Sequence, residues 1–293
     1  MRVVVQKIDL DTCMTALIMG VGPEDDAIVA VNDATADDLA DPSVLCIEAG
    51  GSGQVALNNF DHHEPGGPVR CASEQAQDVA ADSSLPLSRL VAYGAAVDLG
   101  RWGPSAPLHS VLEGADAPLS LSALFSGMRL AIQDPRAQFF TGVDLLRTVL
   151  ADALAPFDAM PSRPEWATFE AAKREERTRL VDLREHAEIF ATISGAKAGF
   201  IATTAIGALG LLYSLDCDVA IAYSPAAPRG DAVSAHKFTI GGRNGRRVDQ
   251  LLPFLNALEP GWGGPAHGTI IASPRTGTGL DPEVVKTAVR LHA

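Results

Sequence analysis

Four short segments of the chain contain residue types that bind divalent cations, each at the end of an apolar run. They are Asp9 and Asp11 in QKIDLDT, Glu48 in VLCIEAGG, Asp61, His62 and His63 in NNFDHHEPGG, and Asp98 in YGAAVDLGRWG. Carboxylates with one imidazole form a hard ligand set that suits Mn²⁺ or Mg²⁺ better than zinc. Paired cations at such a site activate water and offset charge on a phosphoryl group. Metal-assisted phosphoester hydrolysis is therefore one candidate chemistry.

Each segment also has a structural interpretation when it is taken alone. Asp9 could cap the following helix, with Asp11 as a solvated neighbour. Glu48 could be a solvated acid at a strand end, the two histidines could lie in a surface loop, and Asp98 could be a structural acid at a helix end. No segment decides the matter alone, but their order along the chain is informative.

In chain order the segments resemble the four motifs of the DHH phosphoesterase superfamily. The resemblance covers residues 3–100: Asp-x-Asp after the first strand, an acid after a later strand, Asp-His-His, and an acid in Ala-Ala-Val-Asp-Leu-Gly. The superfamily includes oligoribonucleases, exopolyphosphatases, inorganic pyrophosphatases and cyclic dinucleotide phosphodiesterases. The resemblance implies a metal-dependent hydrolase of a small phosphate ester or anhydride, such as a short oligonucleotide, a cyclic dinucleotide or polyphosphate.

The resemblance also implies a role for each residue. The ligands implied for a first cation, Mn²⁺ or Mg²⁺, are Asp11, Glu48, His62 and Asp98. A second cation would face Asp9 and Glu48. His63 would contact the scissile phosphate or protonate the leaving group, and Asp61 would orient the histidines.

A looser resemblance to the superfamily's C-terminal substrate-binding domain occurs in FTIGGRN and GWGGPAHG. It implies that Arg243 and His267, with Gly263 and Gly264, hold the phosphate end of the substrate from across a cleft between two domains. The alternatives are a tight turn over residues 261–268 and a charged loop around the arginines.

Two positions depart from the superfamily's pattern. Its first motif has a histidine four residues before the first aspartate or an acid two residues before it, and these positions are Val5 and Lys7 here. Its bridging aspartate is replaced by Glu48, which is one methylene longer. Three alternatives remain open: one tightly held metal with a transient second, Lys7 supplying the missing charge, or a degenerate nucleotide- or phosphate-binding module. We expect hydrolase activity to persist.

The elements that must position these residues alternate between strands and helices. Apolar runs at residues 3–8, 27–31 and 44–47 predict strands, and residues 13–19 and 87–97 predict helices. Continuous apolar strands separated by helices indicate α/β architecture with a parallel, doubly wound sheet. Ligands of such sheets gather beyond the carboxyl ends of the strands.

The chain is expected to contain two domains. Residues 1–160 would form the metal-binding catalytic domain, residues 161–195 a helical linker, and residues 196–293 a smaller α/β substrate-binding domain. The charged segment 164–190 predicts one long, partly solvated helix, with packing on the first domain as the alternative. Further strands are expected at residues 199–203, 219–223 and 236–240.

Composition excludes several classes of function. The 293 residues carry 23 Lys and Arg against 36 Asp and Glu, a formal net charge of −13. Such a protein repels duplex nucleic acid and anionic membranes. The uncharged stretch 198–215 is interrupted by glycines and is expected to form a buried strand and helix rather than a membrane span. The four scattered cysteines, and acidic residues too close to the N-terminus for a secretory signal, favour a cytoplasmic location. The oligomeric state stays open, with a homodimer as one possibility.

Overall fold

The computed structural model describes residues 1–29, 34–63, 70–80, 84–99, 117–229, 232–264, 268–274 and 276–293, the side chains of 226–229 and 232–235 excepted. The described chain divides into two compact units between Arg174 and Glu175. This division falls inside the segment predicted as a linker. The first unit contains the residues up to Arg174, and the second contains Glu175–Ala293.

The first unit contains a four-stranded parallel sheet in the order β2-β1-β3-β4. Its strands are β1 (Arg2–Val5), β2 (Asp26–Val29), β3 (Val44–Ile47) and β4 (Asn59–Phe60). Val3 and Val5 pack into the main core on one face, while Val4 and Cys46 belong to a smaller apolar cluster. Because both faces are covered, the strands are continuously apolar. The predicted parallel, doubly wound α/β class is confirmed, although β1 ends at Val5 rather than at residue 8.

The first unit contains helices α1 (Leu10–Ile18), α2 (Ala36–Ala40), α3 (Ala72–Ala80), α4 (Leu85–Leu99), α5 (Leu121–Ala131) and α6 (Pro135–Ala151). Four of them begin at a side-chain cap. Asp9, Thr35, Ser120 and Asp134 accept hydrogen bonds from the first turns of α1, α2, α5 and α6. These bonds satisfy amide groups that a helix start leaves without partners.

The strand order fixes where a ligand can bind. The chain passes from β1 to β2 on one side and returns to β3 on the other, so the order reverses between β1 and β3. In open parallel sheets, ligands bind beyond the carboxyl ends of the strands at this reversal. Asp9 follows β1, Glu48 follows β3 and Asp61 follows β4.

The prediction of one helix over residues 164–190 was wrong in its last part. Helix α7 (Ala167–Asp182) is followed by a short 3-10 turn and then by strand β5 (Glu188–Ala191). β5 pairs antiparallel with β6 (Lys197–Ala202), and Phe190 packs against the core of the second unit. Strand pairing and aromatic burial therefore outweigh the helical spacing of the sequence.

The second unit contains a mixed sheet in the order β5-β6-β7-β8-β9. Its remaining elements are α8 (Ala208–Ser214), β7 (Val219–Arg229), β8 (Ala232–Gly242), α9 (Leu252–Leu258), β9 (Ile270–Ala272) and α10 (Pro282–His292). β6 and β7 are parallel, and the other neighbouring strands are antiparallel. The predicted α/β class of this part is confirmed.

The uncharged stretch over residues 198–215 contains β6 and α8, as predicted. Among the described residues, the helices are all too short or too polar to cross a bilayer.

Candidate metal centre

Four ligand-type side chains from distant parts of the first unit converge beyond the ends of β1 and β3. One ligand atom from each of Asp11, Glu48, His62 and Asp98 lies within 4.8 Å of the others. His62 Nε2 is 3.1 Å from Asp98 Oδ2 and 3.4 Å from Glu48 Oε1. The residues that the resemblance assigned to one cation are therefore neighbours, and their cluster could hold a metal ion.

Three of the ligand-type atoms of this cluster lack a hydrogen-bond partner outside it. Glu48 Oε1, His62 Nε2 and Asp98 Oδ2 are buried, and none has a well-directed hydrogen bond among the described residues. A buried polar atom without a partner costs folding free energy, so three such atoms facing one another require an explanation. A divalent cation would satisfy all three. Carboxylate oxygens with one imidazole nitrogen form a set that Mn²⁺ and Mg²⁺ accept.

The N-terminus of α1 positions Asp9 and Asp11 differently. Asp9 is the N-cap and accepts a hydrogen bond from Thr12 N at 3.0 Å, so the capping interpretation is correct for this residue. Asp11 lies in the first turn and is buried rather than solvated. Its carboxylate accepts hydrogen bonds from the amides of Ala72 and Ser73, at 2.7 and 3.0 Å, at the start of α3.

Glu48 is placed by an unusual backbone turn. Its φ is +50°, in the left-handed region that residues with a side chain rarely adopt. The side chain is fully buried, and Thr12 Oγ1 donates a hydrogen bond of 2.6 Å to its Oε2. Backbone strain of this kind is concentrated at functional sites. The interpretation of Glu48 as a solvated strand-end acid was wrong.

Gly51 closes the turn that follows Glu48. Its φ is +73°, and a Cβ at this position would lie 2.9 Å from Asn59 Nδ2. Only glycine fits this close approach without strain, because a side chain would meet both the left-handed backbone and the neighbouring strand.

The two adjacent histidines occupy different environments. The His62 side chain is 4% exposed and points into the cluster, whereas that of His63 is 32% exposed. Asp61 Oδ1 accepts a hydrogen bond from the His63 backbone amide at 2.6 Å and lies 3.2 Å from His63 Nδ1. Asp61 Oδ2 accepts from the Gly50 amide at 2.7 Å. The surface-loop interpretation is therefore wrong for His62.

The local charges shift the pKa values of the cluster. Burial and the neighbouring negative charge of Asp98 raise the pKa of Asp11, and burial together with Asp9 raises that of Glu48 to about 7. Burial alone disfavours the His62 imidazolium, but Asp98 and Glu48 outweigh it and raise the pKa of His62 to about 10. Without a metal, the cluster therefore retains protons that a bound cation would replace.

Asp61 is shifted in the opposite direction. Burial alone raises the pKa of this carboxyl, but hydrogen bonds from His63 and from the Gly50 amide hold it well below its usual range. Asp61 therefore stays ionised and can orient the His63 ring.

Three residues that hold the side chains or backbone of this site in place were not predicted from the sequence. Thr12 holds Glu48, Ser73 holds Asp11, and Gln75 Nε2 donates to the backbone carbonyl of Asp61 at 3.0 Å. Thr12 follows an aspartate of the first motif directly, which is a local signal. Ser73 and Gln75 carry no signal beyond their place at the start of a helix.

Comparison with known proteins identifies the fold. The sequence matches no family model and no curated protein. Among solved structures it is similar to the pGpG-specific phosphodiesterase PggH from Vibrio cholerae, with 12% identity, coverage of 98% of this chain and 97% of that chain, and a TM-score of 0.53. The chain shares the fold of this solved structure. The DHH domain of a protein described as a member of a ribosomal protein family also matches, with 11% identity, coverage of 99% and 87%, and a TM-score of 0.45.

Val5 and Lys7, the two residues that depart from the first motif of the DHH pattern, occupy different environments. Val5 is fully buried in the core. Lys7 Nζ lies 2.8 Å from Asp9 Oδ2 and 3.9 Å from Glu48 Oε2. Burial alone raises the pKa of Asp9, but the Lys7 ammonium and the Thr12 amide lower it to about 2. Asp9 is therefore an ionised partner of Lys7.

Arg243 follows β8 in the second unit. Its Nη1 lies 2.9 Å from Asp216 Oδ1, and Arg247 forms a similar surface ion pair with Asp249. The cluster formed by Arg243, Arg246 and Arg247 therefore contains at least two surface ion pairs. The contact of Arg243 with a phosphate stays a prediction.

The glycines of GWGGPAHG have identifiable backbone roles. Gly263 exchanges two backbone hydrogen bonds with Ala272, at 3.1 and 2.7 Å. A Cβ at Gly264 would lie 2.1 Å from the carbonyl oxygen of Ile270, so the chain approaches β9 too closely for a side chain. His267 lies outside the described residues.

Proposed function

We propose that this protein is a metal-dependent phosphoesterase that hydrolyses a small phosphate ester or anhydride. The observation that carries the proposal is the convergence of Asp11, Glu48, His62 and Asp98, in which Glu48 Oε1, His62 Nε2 and Asp98 Oδ2 are buried and face one another without a well-directed hydrogen bond among the described residues. The fold shared with a pGpG-specific phosphodiesterase supports it. pGpG is therefore the first substrate to test, followed by short oligonucleotides, a cyclic dinucleotide and polyphosphate.

The proposed roles of the side chains follow from how far each is exposed to solvent. The buried cluster would hold Mn²⁺ or Mg²⁺, and such a cation activates water and offsets charge on phosphoryl oxygens. His63 is the more exposed imidazole, and its Nδ1 atom lies 3.2 Å from Asp61 Oδ1. The other ring nitrogen is then available to donate a proton to the leaving oxygen. We propose His63 as the general acid and Asp61 as the residue that positions it.

A substrate panel tests this proposal. Purified protein should release product from at least one panel member with added Mn²⁺ or Mg²⁺, and a chelator should abolish turnover. Asp11→Asn should lower turnover by at least about 100-fold, because a direct ligand matters at least as much as its supporting residues. Asp38→Asn is the matched control, since Asp38 pairs with Arg2 on the surface. Absence of turnover across the panel, with absence of Mn²⁺ binding, would contradict the proposal.

One observation favours a second candidate, a binding module without catalysis. Asp9, an acid that the resemblance assigned to a second cation, is instead paired with Lys7 at 2.8 Å. A nucleotide- or phosphate-binding module would keep its affinity for ligand in the presence of chelator. The Asp11→Asn variant separates the two functions, because a hydrolase loses turnover whereas a metal-independent binder keeps most of its affinity.

A further inference from the structure

We propose that the Lys7 ammonium takes the place of a second metal ion, so that the centre binds one divalent cation per chain. This inference rests on the proposed metal centre and specifies its stoichiometry. It concerns the side of the cluster that faces Asp9 rather than the side that faces His62.

The position of Lys7 carries the first step. Its Nζ lies 2.8 Å from Asp9 Oδ2 and 3.9 Å from Glu48 Oε2. These two carboxylates are the ones that the DHH resemblance assigned to a second cation. Two-metal centres place their ions about 3.5–4 Å apart, which leaves little room for another cation beside an ammonium already bound to both acids.

The remaining oxygens on this side are also engaged. Asp9 Oδ1 accepts a hydrogen bond from the Thr12 amide at 3.0 Å, and Glu48 Oε2 accepts one from the Thr12 hydroxyl at 2.6 Å. Among the described residues, two groups of acidic and histidine side chains have ligand atoms within 4.8 Å of one another. Asp9 belongs to neither group. The unpartnered oxygen of Glu48, Oε1, lies 3.4 Å from His62 Nε2 instead. The open coordination positions therefore face one cation only.

The charges lead to the same stoichiometry. Asp9, Asp11, Glu48 and Asp98 supply four carboxylates around the centre. Lys7 and one divalent cation together offset three of these charges, whereas a second divalent cation would leave an excess of positive charge at close range. The Glu48 side chain is shielded from water whereas that of Lys7 is 46% exposed, so solvent screens the repulsion between the ammonium and a second cation in part, but at such short distances this repulsion still opposes binding of the second cation.

The test counts bound Mn²⁺ in the full-length protein by elemental analysis and by the electron paramagnetic resonance of free and bound Mn²⁺. Wild type should bind one ion per chain. Lys7→Glu removes the ammonium and supplies an acid two residues before Asp9, so it should bind two ions that show spin coupling. Lys7→Gln removes only the charge and should bind its first ion about tenfold more tightly. Arg2→Gln, which removes a surface charge from the opposite end of β1, should behave like wild type.

The outcomes separate this inference from the metal centre on which it rests. Two ions in wild type would overturn the inference and leave the metal centre standing. Absence of bound Mn²⁺ in wild type would remove the metal centre and the inference with it. A folded Lys7→Glu variant that still binds one ion would also overturn the inference. If that variant does not fold, an unchanged Mn²⁺ affinity in Lys7→Gln gives the same negative answer.

Discussion

Thr12 joins the two sides of the metal centre through one residue. Its amide donates a hydrogen bond to the carboxylate of Asp9, the N-cap of α1, and its hydroxyl donates one to the buried carboxylate of Glu48. Thr12→Val keeps the shape and removes the hydroxyl, which leaves a buried carboxylate oxygen without its donor. We expect a loss of about 1–3 kcal/mol in the free energy of unfolding, measured by urea denaturation. Mn²⁺ affinity should fall by about tenfold, because the hydrogen bond orients a ligand.

A matched control for Thr12→Val exists on α6. The Thr148 hydroxyl donates to the Asp144 carbonyl on the exposed part of that helix, so Thr148→Val also removes a hydroxyl, but away from the centre. Equal effects of the two substitutions would show that the Thr12 hydroxyl has no special role.

The metal-free protein should lose stability as the pH rises. The pKa of Glu48 is raised to about 7 and that of His62 to about 10, so the folded state holds protons that the unfolded chain releases near pH 4.3 and 6.5, respectively. Because the folded state binds more protons within these windows, its stability falls between about pH 4.3 and 7 through Glu48, and between about pH 6.5 and 10 through His62.

Urea denaturation in chelator at pH 5.5, 7 and 8 measures this dependence, because these values lie below the range in which buried thiols with raised pKa values also lower the stability. We expect a loss of roughly 2–4 kcal/mol from the lowest to the highest pH. In His62→Gln the part of the loss between about pH 7 and 8 should disappear. A wild-type stability that is flat or rises over this range would contradict the assigned shifts. Mn²⁺ affinity should rise over the same range, because binding releases these protons.

At this scale the sequence predicts the members of the cluster better than their supports. Asp11, Glu48, His62 and Asp98 are recognisable because their types follow apolar runs in a characteristic order. The contact of Asp11 with Ser73 joins residues far apart in the chain, and no local spacing announces it. The ion pair of Lys7 also depends on a turn after β1 that the sequence predicted as continuing strand.

Helix α1 connects the metal centre to the core of the first unit. It contacts α3, α4 and α6 as well as strand β3. A Cβ at Gly142 in α6 would lie 2.7 Å from Cys13 Sγ in α1 and 3.0 Å from the Phe125 ring. Both neighbours are buried, so the helices could accommodate an added methyl only by moving apart.

Gly142→Ala should therefore destabilise the protein. Alanine favours a helix by about 1 kcal/mol over glycine. Overpacking a tight core costs about 1–3 kcal/mol, and the contact with Cys13 places this site toward the upper part of that range. We expect a net loss of about 1–2 kcal/mol in urea denaturation, since the packing cost exceeds the helix gain.

The Cys13→Ala background tests the cause of that loss. Removing the sulfur opens the space that the added methyl needs, so Gly142→Ala should cost clearly less in this background than in wild type. If Gly142→Ala lowers the free energy of unfolding equally in both backgrounds, the contact with Cys13 is not the cause of the loss.

The predicted elements were correct where packing and pattern agree. The Val- and Ile-rich strands of the parallel sheet are buried on both faces, so the continuous apolar pattern identifies them. β5 was missed because its short run follows a strongly helical charged segment, and its pairing with β6 is set by tertiary contacts. The two-residue strand β4 is too short to give a periodic signal.

For the molecule as a whole, the four described residues of the proposed metal centre lie in the first unit. All four clustered ligands and Lys7 precede Arg174, whereas Arg243 lies in the second unit. The net charge of −13 attracts cations in general, so specific binding must be distinguished from diffuse accumulation. A protein of two compact units also need not unfold in a single step. Hydrogen exchange resolved by segment is therefore more informative than one melting temperature.

Mn²⁺ should stabilise the first unit selectively. At about 100 times its dissociation constant, a ligand adds about 2.7 kcal/mol to the stability of the state that binds it. We expect slower amide exchange in β1, α1 and α4 on addition of Mn²⁺, with β7 and β8 unchanged, because only the former elements carry or adjoin the ligands. Asp11→Asn should abolish this protection. Protection that persists in the variant, or that appears equally in β7 and β8, would mean that Mn²⁺ acts through diffuse charge rather than through this centre.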